Sequence, residues 1–419
     1  MAILRLAIAS LWNRRLTAIL TVLAIAISVT LLLGVEKVRT GTKASFANTI
    51  SGTDLIVGAR SGATQLLLYS VFRIGNATNN ISMASYRRLA AHNDVAWTIP
   101  FSLGDNHRGY RVLGTTQDYF RHYRYGRKQN LELAEGKPFE DLFDVVIGAE
   151  IATALEYNLG DQVVITHGLA AEGFQKHDDL PFRISGILAP TGTPVDRTVH
   201  ISLEAMEAIH VDWRGALRIP GMAVTADELR QLGIEPTAIT AALFGLKSRF
   251  ATFGLQREIN EYRREPLLAI LPGVALQELW DLMGTAETAL AGISIAVVIS
   301  GLLGMVIMLL AGLGERRREM AILRSVGARP SHIIGLLVAE AGFLTLIGAC
   351  VGLAALYLGL AIAQPWIATT YGLFLEITAP TGEDLTILGA VIAAGFLAGL
   401  FPALKACRQS LADGMIVRS

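Results

Sequence analysis

Four long apolar stretches dominate the pattern of hydrophobic and polar positions along the chain. They are Thr17–Val35, Ala286–Leu313, Ile333–Ala363 and Leu385–Ala403. A helix needs roughly 20 apolar residues to cross the ~30 Å hydrocarbon core of a bilayer. The second and third stretches exceed that length, so we expect them to tilt or to extend beyond the lipid. The pattern predicts a membrane protein with four transmembrane helices and a large α+β extracytoplasmic domain between the first two.

Composition supports the membrane class. Hydrophobic residues make up 52% of the 419 positions and charged residues only 17%, and the mean hydropathy is +0.46. The formal net charge is zero, so the chain lacks the basic surplus typical of nucleic-acid binding. We therefore expect no nucleic-acid partner.

Basic residues flank the apolar stretches asymmetrically. The loop between the third and fourth stretches carries Glu376, Glu383 and Asp384 but no lysine or arginine. The positive-inside rule then predicts that both termini are cytoplasmic and that residues of about 36–284 lie outside. The basic residues that set this orientation are Arg5, Arg14 and Arg15 before the first stretch, Arg316, Arg317, Arg318, Arg324 and Arg329 between the second and third, and Lys405, Arg408 and Arg418 after the fourth.

The first apolar stretch is either a retained anchor or a cleavable signal peptide. It is longer than a typical signal core, and the charged residues Glu36, Lys37 and Arg39 follow it in place of a small-residue cleavage site. We therefore interpret it as an anchor. Residues Met1–Asn13 are predicted to form a short amphipathic helix on the inner membrane surface.

The long middle region has the pattern of a mixed α/β domain. One helix is predicted at Thr237–Phe250. A second subdomain is predicted from about 221 to 284. The predicted strands are Val95–Pro100, Tyr110–Gly114, Asp144–Gly148, Gln162–Thr166, Phe182–Ile187 and Thr198–Ser202, and the predicted helices are Ala84–His92, Ala149–Tyr157 and Leu203–His210.

Cysteine and histidine usage gives little support for a disulfide framework or a metal site. The two cysteines, Cys350 and Cys407, lie in or beside apolar stretches, which excludes a disulfide framework in the middle region. His167, His177 and His200, with Asp178 and Asp179, lack the HxH or HxxxH spacing of a zinc site. We interpret these histidines as separate surface residues and expect no metal site.

The link between the second and third stretches, Gly314–Ala328, is unusually rich in charge. Its sequence GERRREMAILRSVGA combines strong helix formers with both signs of charge and a few apolar side chains. Gly327 is placed to cap the C-terminus of such a helix. The segment is either a helix that docks a soluble partner or an ordinary positive-inside loop.

Resemblance to a known family favours the interpretation of this link as a docking helix. The string RRREMAILRSVGA resembles the signature of FtsX-like permease domains. GLFPALKACRQSLADGM resembles the closing pattern of that family through Gly399, Pro402, Ala403 and Ala406, and RLAIASLWNRRLTAILTVLAIAISV resembles its opening. Phe139–Ile187 and GTPVDRTV at 192–199 resemble the MacB-like periplasmic core domain.

The resemblance implies three parts. They are an N-terminal amphipathic helix with the first membrane helix (1–35), a periplasmic MacB-like core (36–284), and an FtsX-like permease domain (285–419) with membrane helices at about 286–313, 333–363 and 385–403. It implies an inner-membrane ABC transporter permease of the MacB/LolCE type that pairs with itself or a paralogue. A periplasmic adaptor or a lipoprotein is a further candidate partner.

The resemblance also implies that this chain is not an enzyme. The GxxxxGK[ST] motif is absent, and the nearest string, Gly58–Thr64, lacks the lysine. ATP and Mg would be bound by two copies of a separate cytoplasmic ATPase, and this chain would bind no cofactor. The link would transmit motion from that ATPase to the periplasmic domain through a coupling helix that comprises Arg316, Arg317, Arg318, Glu319, Met320, Leu323, Arg324 and Gly327.

Several residues inside the apolar stretches stand out. Glu340 is a carboxylate within the third stretch, where a charge costs free energy, so we expect it to pair with another polar group. We prefer a structural role, as an acid that snorkels or is hydrogen-bonded internally, to a role in coupling. Glycines at four-residue spacing allow close helix contacts within the bundle or between protomers. These packing positions are Gly348, Gly352, Gly395 and Gly399, with Pro402 of the closing pattern.

The substrate stays open at the level of sequence. Lipoprotein extraction, export through an adaptor and envelope transport linked to a metal or peptide all fit the resemblance. An alternative is an FtsX-like signalling subunit that activates an external cell-wall hydrolase. A membrane-anchored hydrolase is a third class, but no GxSxG or HExxH motif supports it.

Overall fold

A computed structural model describes residues 15–167, 175–176, 180–211, 213–214, 217–218, 225–315, 322, 324–325, 327–371 and 377–408. The chain divides into two compact units. The membrane unit comprises 1–41, 284–366 and 375–419, and the α/β unit comprises 42–283 and 367–374.

Four long helices are apolar enough to cross a membrane. They are TM1 (Arg15–Thr49), TM2 (Pro272–Glu315), TM3 (Pro330–Tyr371) and TM4 (Gly382–Arg408). Each helix is longer than the apolar stretch from which it was predicted. The four predicted transmembrane helices are therefore confirmed as helices of sufficient length and hydrophobicity.

The membrane unit buries both small and large apolar side chains and exposes many further large aliphatic ones. Ile25 and Val29 of TM1 pack with Met305 of TM2, Ala349 of TM3 and Val391 of TM4. On the outside, large aliphatic side chains such as those of Ile27, Leu358 and Leu397 are more than half exposed. A surface of this kind is stable only where lipid replaces water.

The α/β unit is built on a large mixed sheet. Twelve strands of the described chain belong to it, with the order β18-β1-β17-β3-β4-β13-β8-β12-β7 along its main path. The described strands, six of which form three separate two-stranded sheets, are β1 (Leu55–Ala59), β2 (Ile81–Ser82), β3 (Val95–His107), β4 (Tyr110–Thr115), β5 (Arg124–Tyr125), β6 (Gln129–Asn130), β7 (Leu133–Gly136), β8 (Asp144–Ile147), β9 (Gln162–Val163), β10 (Thr166–His167), β11 (Gln175–Lys176), β12 (Phe182–Leu188), β13 (Thr198–Ser202), β14 (Trp213–Arg214), β15 (Leu217–Arg218), β16 (Ala238–Ile239), β17 (Ala241–Leu246) and β18 (Leu267–Ile270).

Most neighbouring strands are antiparallel, but β13 pairs with β4 and β12 with β8 in parallel. The central strands β8 and β13 are buried along their whole length and are rich in β-branched residues. Short helices cover the sheet, and several begin at a capping side chain such as Ser82, Ser202 or Thr225. They are α1 (Ala63–Val71), α2 (Met83–Ala90), α3 (Asp118–His122), α4 (Ala149–Leu155), α5 (Leu203–Ala208), α6 (Ala226–Gln231) and α7 (Thr252–Asn260), with 3₁₀ turns at Pro194–Arg197 and Arg249–Ala251.

The helix predicted at Thr237–Phe250 is wrong. These residues form β16 and β17, and β17 pairs with β1 on one side and β3 on the other. The alanine- and leucine-rich run AALFGL satisfies helix propensity, but a short apolar run is equally suited to a strand buried on both faces. Five of the six β17 residues are buried, so tertiary packing overrides the local preference.

The segment from about 221 to 284 shares its sheet with earlier parts of the chain. Strand β18 pairs with β1 in the large sheet, and β16 pairs with β2 in a separate two-stranded sheet. The two ends of the middle region therefore build neighbouring strands of one sheet. This arrangement joins the segment predicted as a second subdomain to residues 55–107.

Candidate functional site in the membrane unit

TM1 and TM3 approach each other closely at two glycines. A Cβ atom added at Gly352 would lie 2.6 Å from the carbonyl oxygen of Ala26, and one at Gly348 would lie 2.7 Å from the Ile25 side chain. The hydroxyl of Thr30 donates a hydrogen bond to the Gly352 carbonyl at 2.9 Å. The two glycines of the TM3 pair thus lie against TM1 within this unit, where any larger residue would separate the helices.

TM3 and TM4 meet in the same way. Gly399 lies against Ala341, where an added Cβ would come within 2.6 Å of the alanine methyl group, and Gly395 lies against the Thr345 side chain. Pro402 is buried inside TM4. All four packing glycines therefore lie at helix contacts inside one protomer.

Glu340 lies beside this TM3–TM4 contact. Its residue is only 2% exposed, next to the fully buried Ala341. Thr345, also fully buried, donates its hydroxyl hydrogen to the Ala341 carbonyl at 2.8 Å. A carboxylate so deeply enclosed is costly in an apolar bundle.

Ion pairs join three of the four helices at one end of the membrane unit. Lys37 of TM1 lies 2.9 Å from Asp384 of TM4, and their side chains are 13% and 5% exposed. Arg39 of TM1 bonds to Glu36 at 2.6 Å and lies 3.6 Å from Glu287 of TM2. Shielding from solvent makes the Lys37–Asp384 pair a stronger constraint than a surface ion pair, whereas the Arg39 side chain is 37% exposed.

Sequence reasoning missed this cluster of ion pairs. Lys37 and Arg39 served there only to argue against signal cleavage, and Asp384 only to orient the chain. The sequence does contain a signal for these ion pairs. Residues of opposite charge flank apolar stretches at ends that are predicted to lie on the same side of the membrane. The pairing itself depends on which helices are neighbours.

The opposite end of the unit contains Arg324 and Gly327, two of the residues of the predicted coupling helix. Arg324 donates a hydrogen bond from Nη2 to the carbonyl oxygen of Cys407, in the last turn of TM4, at 2.7 Å. This satisfies one of the carbonyls that a helix leaves without an internal partner at its C-terminus. Gly327 has a φ of +97° and donates its N–H to Arg324 O. The other predicted coupling residues, Arg316, Arg317, Arg318, Glu319, Met320 and Leu323, lie outside the described residues.

The model of the MacB-like periplasmic core domain matches residues 18–232. The model of the C-terminal domain of FtsX-like permeases matches residues 291–411. The chain belongs to this permease family. Its four apolar helices and its α/β unit are the membrane and periplasmic-type parts of that architecture.

Two curated relatives of this FtsX-like permease are similar over different lengths. The macrolide export ATP-binding/permease protein MacB of Nitrobacter winogradskyi is 24% identical and aligns with 98% of this chain. The chain spans only 60% of the length of that relative. An uncharacterized ABC transporter permease of Methanocaldococcus jannaschii is 29% identical over 127 residues, which is 29% of this chain and 31% of the relative.

Two solved structures are also similar to parts of the permease. The periplasmic region of MacB from Actinobacillus actinomycetemcomitans is 11% identical with a TM-score of 0.32, and covers 55% of this chain and 94% of that structure. The extracellular domain of the noncanonic ABC-type transporter YknZ from Gram-positive bacteria is 10% identical with a TM-score of 0.31, and covers 52% and 98%.

Histidines of the permease's α/β unit belong to its core. His107 bonds to Val164 O at 2.7 Å and to the Tyr157 hydroxyl at 3.0 Å. His200 is fully buried and lies 5.1 Å from the Tyr119 ring. Burial, and to a smaller extent the charge of Arg73, lowers the pKa of His200 to about 3. For His200, the interpretation as a surface histidine is wrong, because the sheet encloses it.

Proposed function

We propose that this chain is the permease subunit of an ABC transporter, in which a separate cytoplasmic ATPase drives movement of the periplasmic α/β unit. The observation that carries the proposal is the match of two family models, one for each unit. The sequence has no P-loop motif, which supports a nucleotide site outside these 419 residues.

The proposed orientation places both termini and the 314–328 link in the cytoplasm. The arginine-rich flanks support it through the positive-inside rule. The ion pairs of Lys37, Arg39, Glu287 and Asp384 then lie at the periplasmic end of the membrane unit, and the contact of Arg324 with Cys407 lies at the cytoplasmic end.

The coupling route begins at the link between TM2 and TM3. The bond from Arg324 to Cys407 connects this link to the last turn of TM4. Close packing at Gly395 and Gly399 holds TM4 against TM3, and Gly348 and Gly352 hold TM3 against TM1. Since packed helices shift as bodies and resist continuous deformation, a push on the link would move TM1, TM3 and TM4 together.

The proposed assembly contains two permease chains and two ATPase subunits. The permease pairs with itself or with a paralogue, and ATP with Mg is bound by the ATPase. A periplasmic adaptor or a lipoprotein is the further partner that the family resemblance suggests. The work of the complex would be export or the handling of lipoproteins and other envelope substrates.

The test is co-purification of the intact protein from native membranes in mild detergent. We compare wild type with Glu319→Lys, which reverses the charge in the coupling helix. Glu383→Lys is the matched control, because Glu383 is exposed and belongs to the proposed periplasmic end. Bound proteins are identified by mass spectrometry, and ATP hydrolysis is assayed.

We expect an ABC ATPase with wild type and with the control, and its loss from Glu319→Lys. Absence of an ATPase from wild type after cross-linking would sink the permease proposal. Recovery of a cell-wall hydrolase together with the ATPase would favour signalling over transport.

A further inference from the structure

The α/β unit contains a cavity of about 390 Å³. This volume lies in the range of small-molecule sites. Both apolar and cationic side chains line this cavity. Its lining residues include Phe46, Phe72, Tyr110, Arg73, Arg111 and Arg197.

Arg73 enters this cavity from a strained backbone. Its φ of +60° lies in the left-handed region, which a residue with a long side chain rarely adopts without a structural or functional reason. One guanidinium nitrogen donates to Ser70 O at the end of α1, and the group lies 5.4 Å from the Phe101 ring. Its buried Nε has no hydrogen-bond partner among the described residues.

Arg111 lies beside Arg73 and carries the same charge. Its Nη2 bonds to Gly75 O at 2.7 Å and to Asn76 Oδ1 at 3.0 Å. Both partners are neutral, so neither compensates the charge. Burial, followed by repulsion from Arg73, lowers the pKa of Arg111.

The third arginine is already partly neutralised. Nε of Arg197 lies 3.3 Å from Glu150 Oε1, and its guanidinium lies over the Tyr110 ring. Asp196 does not add a free acceptor, because its carboxylate receives N–H and O–H bonds from Thr191 and Gly192. Among the described residues, Arg73 and Arg111 form no ion pair with a carboxylate.

Part of the cavity wall is apolar. The rings of Phe46 and Phe72 lie 4.2 Å apart between centroids, and Ile74 and Pro194 also line the space. A small inorganic anion would leave this wall without a partner. An organic group beside the anion would fill it and remove apolar surface from water.

We propose that this cavity binds a phosphate monoester with an apolar body. A phosphate monoester carries close to two negative charges at neutral pH, which matches the two guanidinium groups that lack a carboxylate partner. Guanidinium forks bind phosphate oxygens through paired, charge-assisted hydrogen bonds. The ester is either a soluble metabolite or the headgroup of a lipid such as phosphatidic acid, since both present a phosphate monoester.

The test is calorimetric titration of the full-length protein in nanodiscs of zwitterionic phosphatidylcholine. The probe is phenyl phosphate, with inorganic phosphate and phenol as its two halves. We expect phenyl phosphate to bind at least about tenfold more tightly than either half, a factor that corresponds to about 1.4 kcal/mol. Equal affinity for inorganic phosphate and phenyl phosphate would overturn the assignment of an apolar body.

Two arginine variants test the cationic wall. Arg73→Gln and Arg111→Gln should each weaken phenyl phosphate binding about tenfold or more, since each removes charge-assisted bonds. Arg88→Gln is the matched control, because Arg88 is exposed and does not line the cavity. Unchanged affinity in both cavity variants would overturn the proposal.

A variant at the rim of the cavity tests the site with both arginines in place. Its result does not depend on whether the arginine variants fold. Ile74 lines the cavity and is 53% exposed, so Ile74→Glu should be tolerated. The new carboxylate would neutralise the arginines and abolish phosphate binding, whereas Ile74→Gln should retain it. Binding to Ile74→Glu with wild-type affinity would refute the site.

The source of the ester is decided by competition. Nanodiscs that contain phosphatidic acid, whose headgroup is a phosphate monoester, should suppress phenyl phosphate binding if the ligand is a lipid. Unchanged binding in these nanodiscs would assign the site to a soluble ester. The titrations contain no ATPase, so their failure is distinguishable from a failure of the proposed transport function.

Discussion

At the scale of residues, the molecule depends on a few groups whose burial changes their chemistry. His200 is the clearest example, because its Nδ1 lies 3.2 Å from Val146 O while its Nε2 has no hydrogen-bond partner among the described residues. Enclosure in the sheet disfavours the charged imidazolium. The unfolded chain, in contrast, binds a proton at its ordinary pKa.

His200 should make stability fall in mild acid. Its folded pKa of about 3 lies below the ordinary 6.5, so its contribution to stability is complete above pH 6.5 and is lost as the pH falls. Between pH 7 and pH 5 this loss amounts to about 2 kcal/mol. Chemical unfolding of the solubilised protein at both pH values should show a shallower loss in His200→Phe.

Other titrating groups contribute to both proteins and cancel from this comparison. Between pH 7 and pH 8 the imidazole is neutral in both states, so wild type and His200→Phe should change equally there. Identical acid dependence of the two proteins would contradict a buried, neutral His200.

At the scale of elements, β17 shows where local preference yields to the tertiary environment. Gly245 of β17 lies against the indole of Trp97 in β3, and an added Cβ would overlap that ring. If residue 245 lies in a strand, replacing the glycine by alanine should lower stability. If it lay in a helix, the same substitution should raise stability. Gly254, in helix α7, has open space at its Cβ position.

Gly245→Ala should destabilise the protein by about 1–3 kcal/mol, because the Trp97 ring must move. Gly254→Ala is the matched control and should be neutral or stabilising by up to about 1 kcal/mol, since alanine favours a helix. Thermal unfolding followed by tryptophan fluorescence measures both. Stabilisation by Gly245→Ala would support the discarded helix.

The ion pair between TM1 and TM4 is a second prediction at this scale. Asp384→Asn should cost about 3 kcal/mol, because Lys37 is left shielded from water without a counter-ion. Lys37→Met in the Asp384→Asn background should recover most of that loss. A double-mutant cycle of unfolding in detergent measures the coupling.

Glu383→Gln serves as the control for this cycle, since Glu383 is the exposed neighbour of Asp384. It should leave stability unchanged within about 0.5 kcal/mol. Additive effects of the Lys37 and Asp384 substitutions would show that the pair does not hold the helices together.

At the scale of the whole molecule, the two units follow different physical rules. The membrane unit exposes many large aliphatic side chains, whereas the α/β unit buries large aromatic side chains such as Tyr69, Phe182 and Phe244. Lipid is the good solvent for the first surface and water for the second. The proposed function requires one orientation across the membrane, with the α/β unit on the periplasmic side.

Cysteine labelling tests that orientation. In a Cys350→Ala background, Cys407 is the reporter of the proposed cytoplasmic end. An impermeant maleimide should label it in inside-out vesicles and not in right-side-out vesicles. The complementary reporter is Phe250→Cys with both native cysteines replaced by alanine, because Phe250 is 98% exposed. It should show the reverse pattern, and an inverted result for both would overturn the positive-inside assignment.

The sequence by itself determined the class of protein and most of its elements. Hydrophobic stretches specify membrane helices because the bilayer sets one length and one polarity. The strands near Val95, Tyr110, Asp144, Phe182 and Thr198 and three helices of the middle region were likewise predicted from period and turn residues, and the structure confirms them. These signals are local, so they can be read without knowing the fold.

Tertiary structure decided what depends on distant neighbours. It made β17 a strand between β1 and β3, buried His200, paired Lys37 with Asp384, and brought Arg73 beside Arg111 around one cavity. Propensity and periodicity act over a few residues, whereas these contacts join residues that are up to hundreds of positions apart. Burial and pairing energies exist only after folding creates the neighbours, which is why the candidate anion site carries no sequence motif.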